Sequence, residues 1–207
     1  MKTRRLFVAL WPTEALVRSV GEIREAARMR LPRGVARYVA DDQLHLTLRF
    51  LGEVGDDAVA PLWAAIAGRL GRPASLALNL HRWGVFPGIG RPRVLWAGLS
   101  GDLESLVRLQ SEVSKAADAV LGTPKRPVAE FHPHLTVARL RDMGRAEASR
   151  VAEVLADLDR RGYPPTNWCP SEVRLMRSDL GPNGPRYHVE AEIPFENTSN
   201  PGGKEAG

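Results

Sequence analysis

Cysteine is almost absent from this chain of 207 residues, whose only example is Cys169. A single cysteine excludes an intrachain disulfide and any metal site that needs several thiolates. Long apolar runs are absent as well. No segment approaches the roughly 20 apolar residues of a membrane-spanning helix, and the run at residues 6–11 is too short for the core of a signal peptide. We therefore expect a soluble, cytoplasmic protein that does not engage a membrane.

Lysine is also scarce, with 4 residues against 25 arginines. The 29 basic and 24 acidic side chains leave a formal net charge of +5. A guanidinium group presents a planar fork of donors that matches phosphate oxygens, so an anionic partner is one explanation of the bias. A GC-rich genome that favours arginine codons is the other explanation, and the composition leaves both open.

The spacing of apolar residues predicts short strands interleaved with helices. Residues 44–50 alternate as a half-buried strand does, with Leu44, Leu46, Leu48 and Phe50 on one face. Asp56 or Asp57 is expected to cap a helix that ends near residue 70. The other predicted elements are strands at 5–11, 76–80, 94–98, 134–140, 173–176 and 187–195, helices at 13–30, 102–121 and 145–160, and a loop at 86–92.

This order of elements is not the strict alternation that a doubly wound parallel sheet requires. It predicts an α+β fold with mainly antiparallel sheets. We expect residues 1–196 to form a single domain. The polar, Gly-rich residues 197–207 are expected to form a disordered tail.

A repeated motif carries the chemistry. Two of the five histidines begin the same pattern, His45-Leu-Thr47-Leu and His134-Leu-Thr136-Val. With 7 threonines in the chain, chance would give roughly 0.17 such His-x-Thr pairs. The strand period of two puts the histidine and threonine of each copy on one face, with the apolar residues turned towards the core.

Two imidazoles can divide the work of acid and base near neutral pH. Threonine hydroxyls can donate hydrogen bonds to the non-bridging oxygens of a phosphate. Hydrolysis of a cyclic phosphodiester needs these groups: a base for water, an acid for the leaving ribose oxygen, and donors for the phosphate. It requires no metal and no other cofactor. Two half-buried strands that carry histidine and threonine by chance are the alternative explanation.

On these residues the chain resembles the two-histidine phosphoesterase superfamily, whose mark is a pair of His-x-Thr-x motifs. It is most similar to the bacterial and archaeal RNA 2′,3′-cyclic phosphodiesterases, first described as tRNA 2′-5′ ligases. The similar segments are 5–10, 45–54, 93–99, 133–139, 175–178 and Tyr187. The resemblance implies two pseudo-symmetric lobes with outer helices and an active cleft between them. It also implies that a terminal 2′,3′-cyclic phosphate of RNA is opened to a 2′-phosphomonoester. We expect a monomer.

The resemblance also implies a role for each motif residue. His45 corresponds to the proton donor for the leaving 3′ oxygen, and His134 to the proton acceptor that activates water. Thr47 and Thr136 correspond to the residues that hold the phosphate. Arg139 matches a family arginine just past the second motif and is a candidate for binding phosphate or RNA. The sequence departs from the family at His132, where relatives often carry arginine, so the role of this position stays open.

Two aromatic residues near the motifs are further candidates. Phe50 and Phe131 could stack on a terminal base, as aromatic residues do in proteins that bind single-stranded RNA. Burial in the core is the alternative for both.

Three other interpretations remain open. His132 and His134, with His45 as a third ligand, have a spacing that suits Zn²⁺, but a zinc site leaves both threonines without a role. The substrate could be a small nucleotide, such as an ADP-ribose cyclic phosphate, instead of RNA. The chain could also be a non-catalytic module that binds RNA or nucleotides, although a binder has no need of two titrating imidazoles. The physiological RNA and the relevance of reverse 2′-5′ ligation cannot be read from the sequence.

Overall fold

The computed structural model of the chain describes residues 2–122, 130–163, 165–182 and 184–196. A short 3₁₀ turn at Asp41–Gln43 precedes the third strand. The strands are β1 (Thr3–Leu10), β2 (Ala36–Tyr38), β3 (Leu46–Gly55), β4 (Leu78–Phe86), β5 (Val94–Gly101), β6 (His134–Leu140), β7 (Glu172–Gly181) and β8 (Gly184–Pro194). The helices are α1 (Glu14–Arg28), α2 (Asp56–Leu70), α3 (Leu103–Leu121) and α4 (Arg145–Arg161).

The described strands form one antiparallel sheet that is narrow in the middle. The strand order is β4-β5-β6-β3-β1-β7-β8, and β2 also pairs with β6. Pairing is continuous on either side of the centre, but within the described residues β6 and β3 are joined by one residue pair only, Leu46 with Leu135. The sheet therefore divides into two halves at this point. The two strands that carry the motifs meet there, each near its first residues.

The four described helices cover the same face of the sheet, because nearly all of their buried side chains belong to one core cluster. In β1, Leu6, Val8 and Leu10 join that core, whereas Phe7 and Ala9 belong to a separate small cluster on the opposite face. Successive side chains of a strand point to opposite faces. The face without helices thus carries its own apolar patch, and this is the face on which the two motifs lie.

Several sequence predictions are confirmed and others need correction. The α+β fold is confirmed, but the expected sheets are one continuous sheet. The N-cap of α2 is Gly55, and Asp56 and Asp57 lie in the first helical turn, where the helix dipole favours carboxylates. The strand predicted at 76–80 runs from Leu78 to Phe86 because a bulge beyond Leu80 lets pairing with β5 continue.

The domain boundary at residue 196 stays a prediction, and the tail at 197–207 lies outside the described residues. None of the described helices has the length and apolar character needed to cross a membrane.

Two β-bulges decide which side chains share the face of the motifs. In β3, Arg49 pairs with Val8 and Thr47 with Ala9, so Leu48 is an extra residue. The side chain of Phe50 is therefore on the Thr47 face, where it is 69% exposed. The prediction that Phe50 shares a face with Leu46 and Leu48 is wrong for this reason, and so is its alternative of core burial.

The second bulge lies in β6. Ala138 pairs with Leu95 and Thr136 with Trp96, which leaves Val137 as the extra residue. Val137 and Ala138 are both buried, and Arg139 is exposed. The bulge thus returns Arg139 to the face that carries Thr136.

Candidate active site

The four motif side chains surround the single pair that joins the halves of the sheet. Leu46 is opposite Leu135 and both are fully buried. His45 and Thr47 flank Leu46, and His134 and Thr136 flank Leu135, so all four side chains lie around this pair on the face away from the core. The two imidazoles are near neighbours on this face, since His134 acts on the pKa of His45. This arrangement has approximate twofold symmetry, with a histidine and a threonine contributed from each half.

Each imidazole is held by the same backbone interaction. Nδ1 of His45 lies 2.7 Å from the carbonyl oxygen of Gln43, and Nδ1 of His134 lies 2.6 Å from the carbonyl oxygen of His132. A carbonyl oxygen can only accept, so Nδ1 carries the proton and donates it in both rings. Nε2 of each ring is left for a substrate. In the described part of the chain neither Nε2 has a hydrogen-bond partner.

Aromatic rings enclose His45. The ring of Trp11 stacks on the imidazole with a centroid distance of 5.1 Å and an interplanar angle of 14°. Phe7 lies 5.0 Å away, and Tyr187 packs edge-on at 5.3 Å. Since Trp11 follows β1 and Tyr187 comes from β8, separate segments of the chain fix this imidazole.

His134 has a smaller aromatic wall on the other half of the sheet. Phe86 packs edge-on at 5.0 Å and Trp96 lies at 6.3 Å. The guanidinium of Arg82 lies over the Trp96 ring, 5.7 Å from its centroid. Trp96 fits only because its neighbour on β4 is glycine: a Cβ on Gly84 would lie 2.1 Å from the indole ring.

The surroundings lower the pKa of both histidines. Burial disfavours the charged imidazolium and lowers the pKa of His45 to about 4; the Gln43 carbonyl opposes this effect and the nearby His134 adds to it. Burial also lowers the pKa of His134, against the effect of the His132 carbonyl. A charge on one imidazole disfavours a charge on the other, so the effect of His134 on the pKa of His45 indicates that the two rings belong to one site.

A hairpin formed by β7 and β8 reaches across this face. Beyond Arg177, β7 no longer pairs with β1. Near the turn, the carbonyl oxygen of Pro185 accepts a hydrogen bond of 2.8 Å from Nε2 of Gln43. Gln43 therefore makes two contacts: its backbone carbonyl holds His45, and its side chain holds the hairpin.

The structure brings some of the predicted site residues together and not others. His45, Thr47, His134 and Thr136 lie on one face, and the two bulges add Phe50 and Arg139 to it. Phe131 is half-buried and packs against the main core. The roles of these residues stay predictions.

Sequence reasoning missed the carbonyl of Gln43 and the aromatic rings of Phe7, Trp11, Phe86 and Trp96. Every residue has a carbonyl group, so the first contact leaves no compositional signal. To predict that these aromatic rings surround the histidines, one would need to know that β1 pairs with β3 and that β4 pairs with β5.

Within the described ranges, no group of three or more His, Cys, Asp or Glu residues is arranged to hold a metal ion. The three histidines of the zinc alternative do not form such a group.

Comparison with known proteins identifies related chains. The sequence profile of the 2′-5′ RNA ligase superfamily matches residues 12–182. An RNA 2′,3′-cyclic phosphodiesterase of Aeropyrum pernix is 32% identical over 76% of this chain and 85% of its own length. A protein of the same name from Thermus thermophilus is 33% identical over 89% and 87% of the two chains. The crystal structure of TT0787 of Thermus thermophilus aligns with a TM-score of 0.72 at 29% identity, covering 92% of this chain and 97% of that one.

Proposed function

Because the chain belongs to the 2′-5′ RNA ligase superfamily, we propose that it hydrolyses terminal 2′,3′-cyclic phosphodiesters of RNA to 2′-phosphomonoesters. The relatives that carry the name RNA 2′,3′-cyclic phosphodiesterase support hydrolysis of a cyclic phosphodiester. The proposal adds that His45 and His134 act as an acid–base pair and that no metal takes part.

The observation that carries this proposal is that two imidazoles lie beside one residue pair, each with Nδ1 bonded to a carbonyl and with Nε2 free of hydrogen bonds to the described residues. In hydrolysis of a phosphodiester the attacking and leaving oxygens lie on opposite sides of phosphorus. A proton acceptor is needed on one side and a proton donor on the other. His45 and His134, one from each half of the sheet, are suited to these two roles beside the Leu46–Leu135 pair, and each threonine comes from the same strand as its histidine.

Nε2 of neutral His134 takes a proton from a water molecule while the water oxygen bonds to phosphorus. The bond between phosphorus and the 3′ oxygen breaks, and Nε2–H of protonated His45 gives its proton to that oxygen. The product is a 2′-phosphomonoester with a free 3′ hydroxyl. Proton exchange with solvent then restores both rings.

His45 has to be protonated for this step although its pKa is low in the unliganded protein. An anionic phosphate within hydrogen-bond distance favours the charged imidazolium and raises the pKa. The face of Trp11, stacked on the ring, adds a cation–π attraction that only the protonated form receives. Substrate binding thus favours the protonated form of His45, the proposed acid.

Thr47 and Thr136 are the proposed donors to the non-bridging oxygens, where negative charge is retained during the reaction. Arg139 lies on the same face beyond the β6 bulge. Its long side chain is suited to the phosphate or to the adjoining nucleotide.

The acid and the base can be distinguished by the leaving group. His45→Ala and His134→Ala are each expected to lower kcat on adenosine 2′,3′-cyclic phosphate by about 10²–10⁴-fold. A p-nitrophenyl phosphodiester has a good leaving group that needs little protonation, so it should restore much of the activity of His45→Ala and none of that of His134→Ala. His81→Ala, at an exposed position on β4, is the matched control for removal of a histidine.

Two results with the alanine variants would contradict the proposal. Near-normal rates in either alanine variant would show that the histidine is not an acid or base. Recovery of His134→Ala instead of His45→Ala on the activated substrate would reverse the assigned roles. Hydrolysis should also survive prolonged incubation with EDTA, and loss of activity in EDTA would refute a reaction without metal. Mapping of the product end should find a 2′-phosphate, and a 3′-phosphate would refute the assignment of the 3′ oxygen as the leaving group.

A further inference from the structure

A groove of about 600 Å³ lies at the N-terminal end of β1. One side is formed by the start of β1 and by β3, and the other by β7 where it separates from β1. Its lining residues include Lys2, Arg5, Glu53, Ser178, Asp179 and Leu180. The groove is open to solvent, and the proposed hydrolysis makes no use of it.

Basic side chains outnumber acidic ones in the lining of this groove, with Lys2, Arg4, Arg5 and Arg177 against Glu53 and Asp179. Lys2 and Arg5 have no carboxylate within 4 Å among the described residues. Glu53, the register partner of Arg5, is held by a hydrogen bond of 3.0 Å from the hydroxyl of Thr3 and keeps its charge, whereas Asp179 forms ion pairs with Arg177 and His188. An unneutralised guanidinium beside an open groove is suited to a phosphate group.

The groove and the histidines share a wall. Tyr187 packs on His45 at 5.3 Å, and its register partner Ser178 lines the groove. Arg5 is close enough to act on the pKa of Tyr187, which it lowers against the stronger opposing effect of burial. Because Phe7 contacts His45 and Arg5 precedes it by two residues, both side chains lie on one face of β1.

Apolar side chains flank this path from both neighbouring strands. Phe50 is the register partner of Phe7, with ring centroids 6.2 Å apart, and is 69% exposed. Leu180, on the opposite wall, is 68% exposed. An exposed ring beside a positively charged track is the combination that binds single-stranded nucleic acid, with bases stacked on the ring and phosphates on the cations.

The other flank of the site is bounded by protein. The β7–β8 hairpin is bonded to Gln43 through the carbonyl of Pro185. At its turn, Nη2 of Arg37 on β2 lies 3.4 Å from the position that a Cβ on Gly184 would occupy. The hairpin therefore spans from β7 to the second half of the sheet. The groove beside Arg5, by contrast, is open to solvent.

We propose that this groove binds the RNA strand on the 5′ side of the terminal nucleotide, with Phe50 stacking on a base and Arg5 contacting a backbone phosphate. The inference rests on the proposed function for the identity of the terminal group. It makes the chain selective for RNA ends over cyclic mononucleotides. Phe50 and Arg5 are not among the groups proposed to perform the reaction.

The test measures the advantage of an oligonucleotide over a mononucleotide. For wild type and variants, kcat/KM is determined on adenosine 2′,3′-cyclic phosphate and on a trinucleotide that ends in the same group. The ratio of the trinucleotide value to the mononucleotide value should exceed one in wild type and fall at least about fivefold in Phe50→Ala, the lower end of what loss of one base–aromatic stack costs. Phe50→Tyr, which keeps a ring, should restore it.

Arg5→Gln is expected to lower the same ratio and to reduce the slope of log kcat/KM against log salt for the trinucleotide by about 0.7, the value of one contact with a single-stranded phosphate. Arg72→Gln is the matched control. Arg72 is also exposed and has no carboxylate within 4 Å in the described residues, but it follows α2, away from this face.

The binding of 2′-phosphorylated products of one and three nucleotides provides a readout that does not depend on turnover. If neither cyclic substrate is hydrolysed but the ratio of Kd values still falls in both variants, the proposed function is wrong and the groove stands. Equal losses on the short and long ligands would overturn the groove. A wild-type ratio of one between trinucleotide and mononucleotide would also overturn the groove. The same holds if Arg37→Gln lowers this ratio and Arg5→Gln does not, because the strand would then run past the hairpin.

Discussion

The low pKa of His45 has a consequence for stability that can be measured without any substrate. In the unfolded chain a histidine takes up a proton near pH 6.5, whereas in the folded protein burial among aromatic rings delays this to about pH 4. Between these values the unfolded state binds more protons than the folded state. The free energy of unfolding must therefore fall as the pH is lowered from 6.5 to 4, and His45 contributes no further change below pH 4.

The size of the effect follows from the shift. A difference of one pKa unit corresponds to 1.36 kcal/mol, so the full interval from 6.5 to 4 is worth about 3 kcal/mol. At pH 5 the loss relative to pH 7 is about 2 kcal/mol. The imidazole keeps a partly accessible edge, and its exposure makes these values ceilings. His134 shifts in the same direction, so the fall in the wild-type protein contains contributions from both rings.

A substitution isolates the share of His45. In His45→Asn the side-chain amide can still donate to the Gln43 carbonyl, but the group no longer titrates. Urea unfolding of wild type and variant at pH 7 and pH 5 gives the two free energies at each pH. The variant is expected to be the less stable protein at pH 7 and to lose about 2 kcal/mol less than wild type on going to pH 5.

His81→Asn, at an exposed position, should follow the wild-type curve. If the gap between wild type and His45→Asn is the same at both pH values, His45 is not held neutral by its surroundings. The explanation that substrate binding charges this ring would then fail as well.

Two further predictions concern catalysis and packing. The free enzyme needs one protonated and one neutral imidazole, and the pKa values of both histidines lie below 6.5. The value of kcat/KM on a cyclic mononucleotide should therefore be greatest below pH 6.5 and fall about tenfold per pH unit above it. A profile that is flat or rising from pH 6.5 to 8 would refute this. Gly84→Ala should displace the Trp96 ring beside His134, which should lower kcat and destabilise the fold by about 1–3 kcal/mol in thermal or urea unfolding. Gly68→Ala is the control: a Cβ there lies in open space within α2, so this variant should be more stable than wild type by about 0.5–1 kcal/mol.

The motif residues could be placed from sequence because a strand has a fixed period. His45 and Thr47 flank Leu46, and the second motif repeats the pattern around Leu135, so in each copy the alternation alone puts both polar groups on the face away from the core. No long-range information is needed for that step. That the two copies meet depends on the pairing of Leu46 with Leu135, for which the repetition of the motif was the only indication.

The positions of Phe50 and Arg139 could not be obtained in this way. Alternation continued from Leu46 assigns Phe50 to the core, and alternation continued from Thr136 turns Arg139 away from the motif face. Each strand contains a bulge between the motif and the residue in question, and a bulge is created by the register with a neighbouring strand. The hydrophobic pattern of one strand cannot reveal a register shift that its partner imposes.

The excess of arginine has two separate explanations within one chain. Many of these side chains lie on helices or strand edges and form ion pairs with carboxylates, as in Arg28 with Glu25, Arg108 with Glu104 and Arg150 with Glu153. Exposed pairs of this kind contribute at most about 1 kcal/mol each and leave no charge for a partner. On the face of the motifs, by contrast, Arg5 and Arg139 have no carboxylate within 4 Å among the described residues. The net charge of +5 is therefore a poor guide to RNA affinity, and the salt dependence of oligonucleotide hydrolysis should follow the few unneutralised arginines beside the cleft.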